Sequence, residues 1–155
     1  MNSEPIRASC AAVTHEVLTD IADACWPGVE ILAQRPLTGD AGNRQYIRLR
    51  LRGGKAPETA LAMIFAADGS ARSAEEGDGP RRSELPFVNV QRFLKADRLP
   101  VPEIYHVVEA SGCLLLEDLG DLTLAQAAEK AGDSEREPLM GRAVSLLAQI
   151  ATAEG

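Results

Sequence analysis

The architecture of this chain follows from one stretch, RQYIRLRLRGGKAPETALAMIF, which occupies residues 44–65. Its first nine residues predict a strand, because residues 46–51 alternate between two faces with the period of a strand that has one buried face. Gly53-Gly54 then marks a turn, and residues 59–65 form a second, more continuously apolar strand. The stretch therefore predicts a β-hairpin whose first strand carries Tyr46, Arg48 and Arg50 on one face and Ile47, Leu49 and Leu51 on the other.

The residues before this hairpin predict one helix and one further strand. Apolar residues recur at steps of three and four over residues 5–26, which is helical spacing, and Pro27-Gly28 ends the helix. Residues 29–37 then predict a strand. The apolar faces consist of Ile6, Cys10, Val13, Val17, Ile21 and Cys25 on the helix and of Val29, Ile31 and Ala33 on the strand.

The residues after the hairpin predict a loop, a helix and a second hairpin. Residues 66–82 are rich in small and charged residues without periodicity, which is typical of a surface loop. Pro86 suits the first turn of a helix, and residues 99–102 form an extended connector because each Pro disfavours helix at its predecessor. A hairpin is predicted over residues 103–117. The predicted buried face of the helix is Phe87, Val90, Phe93 and Leu94.

Two more helices are predicted over residues 123–131 and 136–153, separated by Gly132-Asp133. The order of elements is thus helix, three strands, helix, two strands and helices. This order predicts an α+β fold with a five-stranded antiparallel sheet and one helix inserted after the third strand. The predicted buried face of the last helix is Leu139, Ala143, Leu146, Leu147 and Ile150.

The composition excludes several classes of protein. A formal charge of -7 argues against a nucleic-acid surface, which needs clustered Lys and Arg. No apolar run approaches the roughly 20 residues of a membrane span, and the N-terminus lacks the pattern of a signal peptide. We therefore expect a cytoplasmic protein with no nucleic-acid or membrane partner. Three widely spaced cysteines favour reduced, packed thiols over disulfides or a zinc site: Cys10, Cys25 and Cys113.

The first candidate motif is LTGDAGNR, residues 37–44, which joins the first two strands. Glycines there would let backbone N–H groups approach an anion, and Arg44 would reach a phosphate oxygen. The same residue types are also expected in an ordinary hairpin loop. The motif alone leaves both interpretations open.

The second candidate motif is LLLEDLGD, residues 114–121, in which an apolar strand runs into an acidic connector before a helix. The backbone of such a connector is available to a ligand. Asp121 or Thr123 would also serve as a helix cap. The two roles are compatible.

Four segments together resemble the aminoglycoside phosphotransferase-like kinases, in particular the branch that phosphorylates cell-wall amino sugars such as N-acetylmuramate or N-acetylglucosamine. They are GDAGNRQYIR (39–48), LPFVNVQRFL (85–94), LPVPEI (99–104) and LLLEDLGD (114–121). The resemblance implies a protein-kinase-like small lobe. Its parts would be an N-terminal helix (1–28), the lobe itself (29–119) and the first helices of an incomplete second lobe (120–155).

The resemblance also implies transfer of the ATP γ-phosphoryl group to a hydroxyl of an amino sugar or aminoglycoside-like acceptor, with Mg²⁺ bridging the phosphates. The carbonyl of Glu117 and the N–H of Leu119 would pair with the adenine edge. The expected nucleotide-binding residues are Thr38, Gly39, Asp40, Ala41, Gly42, Asn43, Arg44, Met63, Leu116, Glu117, Asp118 and Leu119.

The chain departs from the family pattern at its third strand. Kinases carry a phosphate-binding Lys there, paired with a Glu on the next helix, but Met63 takes that position and Lys55 lies earlier, in the turn. Arg44 or Arg48 is therefore expected to meet the phosphate charge. Glu84 is a poor substitute for the paired Glu.

A second departure concerns catalysis. The family's His-Gly-Asp type loop, its downstream Asn and the metal-binding Asp do not occur in residues 1–155. His15 and His106 fall on the first helix and on a strand, so neither replaces the base. We therefore predict no catalytic residue and no metal ligand in this chain, which we expect to be an inactive N-terminal part of a phosphotransferase. The alternatives are a non-catalytic binding or regulatory module and a truncated pseudokinase.

Overall fold

The computed structural model of the protein describes residues 14–37, 44–65 and 85–153. The start of the predicted first helix, the loop at residues 38–43 and the predicted surface loop at residues 66–82 lie outside the described residues. The described residues belong to two compact units.

The first unit contains the sheet and runs to Leu85, with Glu103–Asp118 added. Its described strands pair antiparallel in the order β1-β2-β3-β5-β4, which confirms the predicted five-stranded antiparallel sheet and the α+β class for the described part of the chain. The elements are α1 (His15–Cys25), β1 (Glu30–Leu37), β2 (Arg44–Arg52), β3 (Thr59–Phe65), β4 (Ile104–Val108) and β5 (Cys113–Glu117), with a short 3-10 turn at Glu109–Ser111.

The helix α1 covers one face of the sheet. Thr14 begins it as N-cap, with its hydroxyl accepting from the Val17 N–H. At β1, the side-chain amide of Gln34 and the ring of His15 form a hydrogen bond (Nε2–Nδ1 2.5 Å). The core between helix and sheet is apolar, which is the main source of stability for this unit. It consists of Leu18, Ile21, Ala22, Val29, Leu49, Leu51, Ala60, Ala62, Ile64, Cys113 and Leu115.

The predicted hairpin is confirmed, with β2 and β3 at the predicted bounds. Its turn packs against the chain that leaves α1. Gly54 has φ +58°, and a Cβ added there would lie 2.7 Å from the carbonyl oxygen of Trp26. Only glycine fits this close approach without strain.

The prediction for β1 is wrong in one respect. Ile31 pairs with Leu51, but the next registered partner is Ala33 with Arg50, so Leu32 is an extra residue in a β-bulge. The bulge places Ala33 on the opposite face from Ile31. The alternation of residues along the sequence had predicted both on the same face. Ala33 is accordingly exposed.

Two described cysteines are free thiols, Cys25 half-buried and Cys113 buried. Burial raises the pKa of the Cys113 thiol to about 11 and raises the pKa of Cys25 as well. Both pack as small hydrophobes, as predicted. Cys10 lies outside the described residues.

The second unit comprises Pro86–Pro102 and the residues from Leu119 onward. Thr123 caps α3 in a capping box with Gln126. The guanidinium of Arg136 donates to the carbonyls of Ala128 (3.0 Å) and Ala131 (3.1 Å), which satisfies the C-terminal end of α3. The helices are α2 (Pro86–Ala96), α3 (Leu124–Lys130) and α4 (Asp133–Ala151).

The predicted buried face of α2 is wrong at Val90 and Phe93, while Phe87 and Leu94 are half-buried. Val90 is 57% and Phe93 40% exposed, whereas Val88 and Gln91 are buried. Gln91 is tolerated in the interior because its Nε2 donates to the carbonyl of Pro102 at 3.0 Å. The spacing of apolar residues did not predict this face because one of its buried residues is a glutamine.

The prediction for α4 is also corrected. The helix begins at Asp133 and not at Arg136, because Gly132 takes the extended N-cap conformation. No described residue of α4 is fully buried: Leu147 is 65% and Ile150 46% exposed, and the other predicted inner residues are half-buried. Among the described residues, no helix is both long and apolar enough to cross a bilayer.

Candidate functional site

The candidate site lies on the sheet face opposite α1. Register places Tyr46, Met63 and Leu114 in one row across β2, β3 and β5. The next row is Arg48, Leu61 and Leu116. Met63 and Leu114 are fully buried and Leu116 is 3% exposed. On this face, β3 and β5 therefore form an apolar floor, next to the polar side chains of β2.

An ion pair joins β2 to the residue that follows β5. The guanidinium of Arg48 meets the carboxylate of Asp118 with both oxygens, at 2.8 Å (Nη2–Oδ1) and 2.6 Å (Nε–Oδ2). The Nε contact is short but poorly aligned as a hydrogen bond, so the Nη2–Oδ1 bond is the directional one. The side chains are only 14% and 5% exposed.

This pair holds Asp118, the residue directly after β5, against β2. Arg48 and Asp118 stand on either side of β3, so the pair spans three strands. Two charges with so little exposure attract strongly but pay for lost hydration. The arrangement holds a particular backbone path at Asp118 more than it adds net stability.

The structure places Glu117 and Leu119 on either side of Asp118. The Glu117 N–H donates to the Glu103 carbonyl at 2.9 Å, and its Oε2 accepts from the Glu103 N–H at 3.1 Å. Leu119, the first residue of the second unit, has a side chain 69% exposed. Pairing of Glu117 and Leu119 with adenine stays a prediction.

The predicted phosphate loop is described only at its end. Thr38, Gly39, Asp40, Ala41, Gly42 and Asn43 lie outside the described residues, as does Glu84. Arg44 is exposed, with its guanidinium carbon 5.5 Å from the centre of the Phe65 ring, a cation–π distance. Of the two arginines predicted to meet phosphate, Arg48 is engaged by Asp118 and Arg44 faces solvent.

The remaining candidates lie where the sequence placed them. Lys55 is in the β2–β3 turn, His15 begins α1, and His106 is on β4. Among the residues that the structure describes, no three His, Cys, Asp or Glu side chains gather as a metal site. ATP and Mg²⁺ stay predictions from the resemblance.

Sequence reasoning missed the part played by the Asp118 side chain. It assigned only backbone contacts to this segment, although an acidic residue directly after a buried strand needs a counter-charge or water. Arg48, on the polar face of β2, was available as the counter-charge. The partners are 70 positions apart in the sequence, so no local pattern shows that they meet.

Comparisons with known proteins found no match. No protein-family model, curated protein or solved structure matches the chain. The resemblance to the aminoglycoside phosphotransferase-like kinases therefore rests on the four sequence segments, and the fold and the site rest on the residues described above.

Proposed function

We propose that this chain is the nucleotide-binding part of a phosphotransferase that moves the γ-phosphoryl group of ATP to a hydroxyl of a small amino sugar or aminoglycoside-like molecule. The observation that carries the proposal is the Arg48–Asp118 pair. It holds Asp118, the residue directly after β5, on the sheet face opposite α1, and a kinase-like fold would pair the connector backbone next to this residue with adenine.

The strand order supports the same proposal. In the described residues the sheet runs β1-β2-β3-β5-β4, and a helix is inserted along the chain between β3 and β4. A kinase-like small lobe has this arrangement. The apolar floor of Met63, Leu114 and Leu116 offers the flat aliphatic surface on which a purine packs.

Within residues 1–155 we propose nucleotide binding without phosphoryl transfer, because the sequence contains no His-Gly-Asp type loop. Mg²⁺ would enter with the phosphates of ATP. The acceptor hydroxyl and the base would lie on other residues of a full-length enzyme. We place the protein in the cytoplasm, where ATP is available.

The test uses the backbone N–H of Leu119. Leu119→Pro removes this donor, whereas Leu119→Ala keeps it and trims an exposed side chain. Calorimetric titration with adenosine and with Mg-ATP should give dissociation constants above about 1 μM. An incomplete site makes fewer contacts, but binding must still offset the lost translational freedom of the ligand. Leu119→Pro should weaken both ligands and Leu119→Ala neither.

Folding is checked on both variants by urea unfolding, so that loss of binding is not loss of structure. Equal binding by Leu119→Pro and the parent would contradict the proposed adenine contact. Absence of adenosine and ATP binding at millimolar ligand would contradict the proposed function as a whole.

A further inference from the structure

One hydrogen bond of the ladder between β4 and β5 is replaced at the end of the two strands. The register that pairs Ile104 with Leu116 places Glu103 opposite Glu117 at the next step. Two opposite residues in this phase of an antiparallel ladder normally exchange two main-chain hydrogen bonds. The first is present, because the Glu117 N–H donates to the Glu103 carbonyl at 2.9 Å. The return bond, from the Glu103 N–H to the Glu117 carbonyl, is not formed between these described residues.

The side chain of Glu117 takes the place of its own carbonyl. The Glu103 N–H donates to Oε2 of Glu117 at 3.1 Å. A carboxylate is a stronger acceptor for a backbone N–H than a neutral carbonyl is, so the side chain competes well for this donor. The Glu103 N–H is therefore satisfied, and the carbonyl of Glu117 loses its usual partner.

No other described group takes up the Glu117 carbonyl. The N–H and C=O groups of one strand residue point to the same side of the strand. The carbonyl therefore points towards Glu103 and away from Ala60, the partner of Glu117 on β3. Within the described ranges, the only hydrogen bonds of Glu117 outside the strand ladder are the two with Glu103. Because Glu117 is half-buried and backbone acceptors in such places are usually paired, this carbonyl is available to a ligand.

The peptide group that carries this carbonyl is held on both sides. On one side, the N–H and the carboxylate of Glu117 are both bound to Glu103. On the other side, the next residue, Asp118, is bound by Arg48 at 2.8 Å and 2.6 Å. An acceptor that is fixed before a ligand arrives loses little conformational freedom on binding.

We infer that Glu117 is a positioning residue whose side chain holds the Glu103 N–H and thereby keeps its own carbonyl free for the amino group of a 6-aminopurine. The inference rests on the proposed function, which assigns this carbonyl to the adenine edge. It adds the part played by the side chain and the group of the ligand that is recognised. A carbonyl oxygen only accepts, so it selects a purine with a donor at carbon 6.

The test compares adenosine with purine riboside, which has hydrogen in place of the 6-amino group and keeps all the ring nitrogens. In calorimetric titrations the parent should bind adenosine about three- to tenfold more tightly, the effect of one neutral hydrogen bond. Glu117→Val removes the carboxylate, so the Glu103 N–H should return to the main-chain carbonyl. In this variant the two nucleosides should bind within about twofold of each other.

Glu117→Gln is the matched control, because its amide oxygen still accepts from the Glu103 N–H while the charge is lost. It should keep the preference for adenosine. A purely structural role of Glu117 would instead weaken both nucleosides equally in Glu117→Val. Urea unfolding checks that both variants are folded.

A second measurement does not depend on nucleotide binding. NMR detects the coupling across a hydrogen bond between the amide nitrogen of Glu103 and the carbon that bears the acceptor. In the parent this carbon should be the side-chain carboxyl of Glu117, and in Glu117→Val it should be the main-chain carbonyl.

Three results would overturn the inference. Coupling to the main-chain carbonyl in the parent would show that the carbonyl is already occupied. Equal binding of adenosine and purine riboside by the parent, or an adenosine preference that survives in Glu117→Val, would show that the side chain does not control recognition of the amino group; either result leaves the proposed nucleotide function in place. Absence of binding of both nucleosides at millimolar concentration would contradict the proposed function together with the ligand inferred here.

Discussion

Replacing Asp118 by Asn should destabilise the protein by about 3 kcal/mol. The change removes the negative charge of Asp118 but keeps its shape, so the Arg48 side chain, only 14% exposed, loses this ion pair. Breaking one side of a buried ion pair costs about 3–5 kcal/mol. The residual exposure of Arg48 favours the lower end of this range, because water reaches part of the group.

The exposed pair Arg52–Glu30 is the matched control. It joins the same strand to β1 at 2.6 Å, but its side chains are 68% and 59% exposed. Solvent screens such a pair, so Glu30→Gln should cost less than about 1 kcal/mol. Each variant removes one negative charge from an arginine contact whose shortest distance is 2.6 Å, and the two pairs differ most in burial.

The assay is equilibrium urea unfolding followed by far-ultraviolet circular dichroism, at low and high salt. Restoring balance with the double variant Arg48→Met, Asp118→Leu should recover most of the stability lost in Asp118→Asn, since an apolar pair of similar volume needs no hydration. An Asp118→Asn variant within about 0.5 kcal/mol of the parent would refute the reasoning, because the pair would then behave as a surface contact.

Two further predictions concern the core and the β2–β3 turn. Gly54→Ala should destabilise the protein clearly more than Gly28→Ala in the same urea assay: both glycines have positive φ, but only at Gly54 would the new Cβ meet backbone, and at Gly28 nothing lies within 4 Å. Similar losses would show that the turn shifts freely. The thiol of Cys113 keeps its proton to about pH 11 in the folded protein and ionises near pH 9.0 when unfolded, so the free energy of unfolding should fall by about 2–3 kcal/mol across that interval. Cys113→Ala should flatten this part of the pH profile, and an unchanged profile would contradict the assignment.

Sequence patterns predicted what depends on neighbours along the chain. The alternation in residues 44–52 gave both the bounds of β2 and the faces of its side chains, because the period of two is a property of the strand itself. The helix cap, predicted at Asp121 or Thr123 and found at Thr123, is likewise local. Such features need no knowledge of what packs against them.

Features set by distant partners were not predictable in the same way. The inner face of α2 depends on the carbonyl of Pro102, which satisfies Gln91. The candidate site depends on Arg48 and Asp118, which approach only when β2, β3 and β5 pair. A single sequence contains both residues but not their distance.

Because of the bulge, β1 should tolerate the deletion of some residues better than the deletion of others. Loss of Leu32 would leave Ile31 and Ala33 opposite the partners they have now, because Leu32 is the extra residue. Loss of Gln34 would instead exchange the two faces for the rest of the strand, since side chains alternate. Shortened descendants of this sequence should therefore lose Leu32 and keep the residues after it, so that Arg35 stays opposite Arg48.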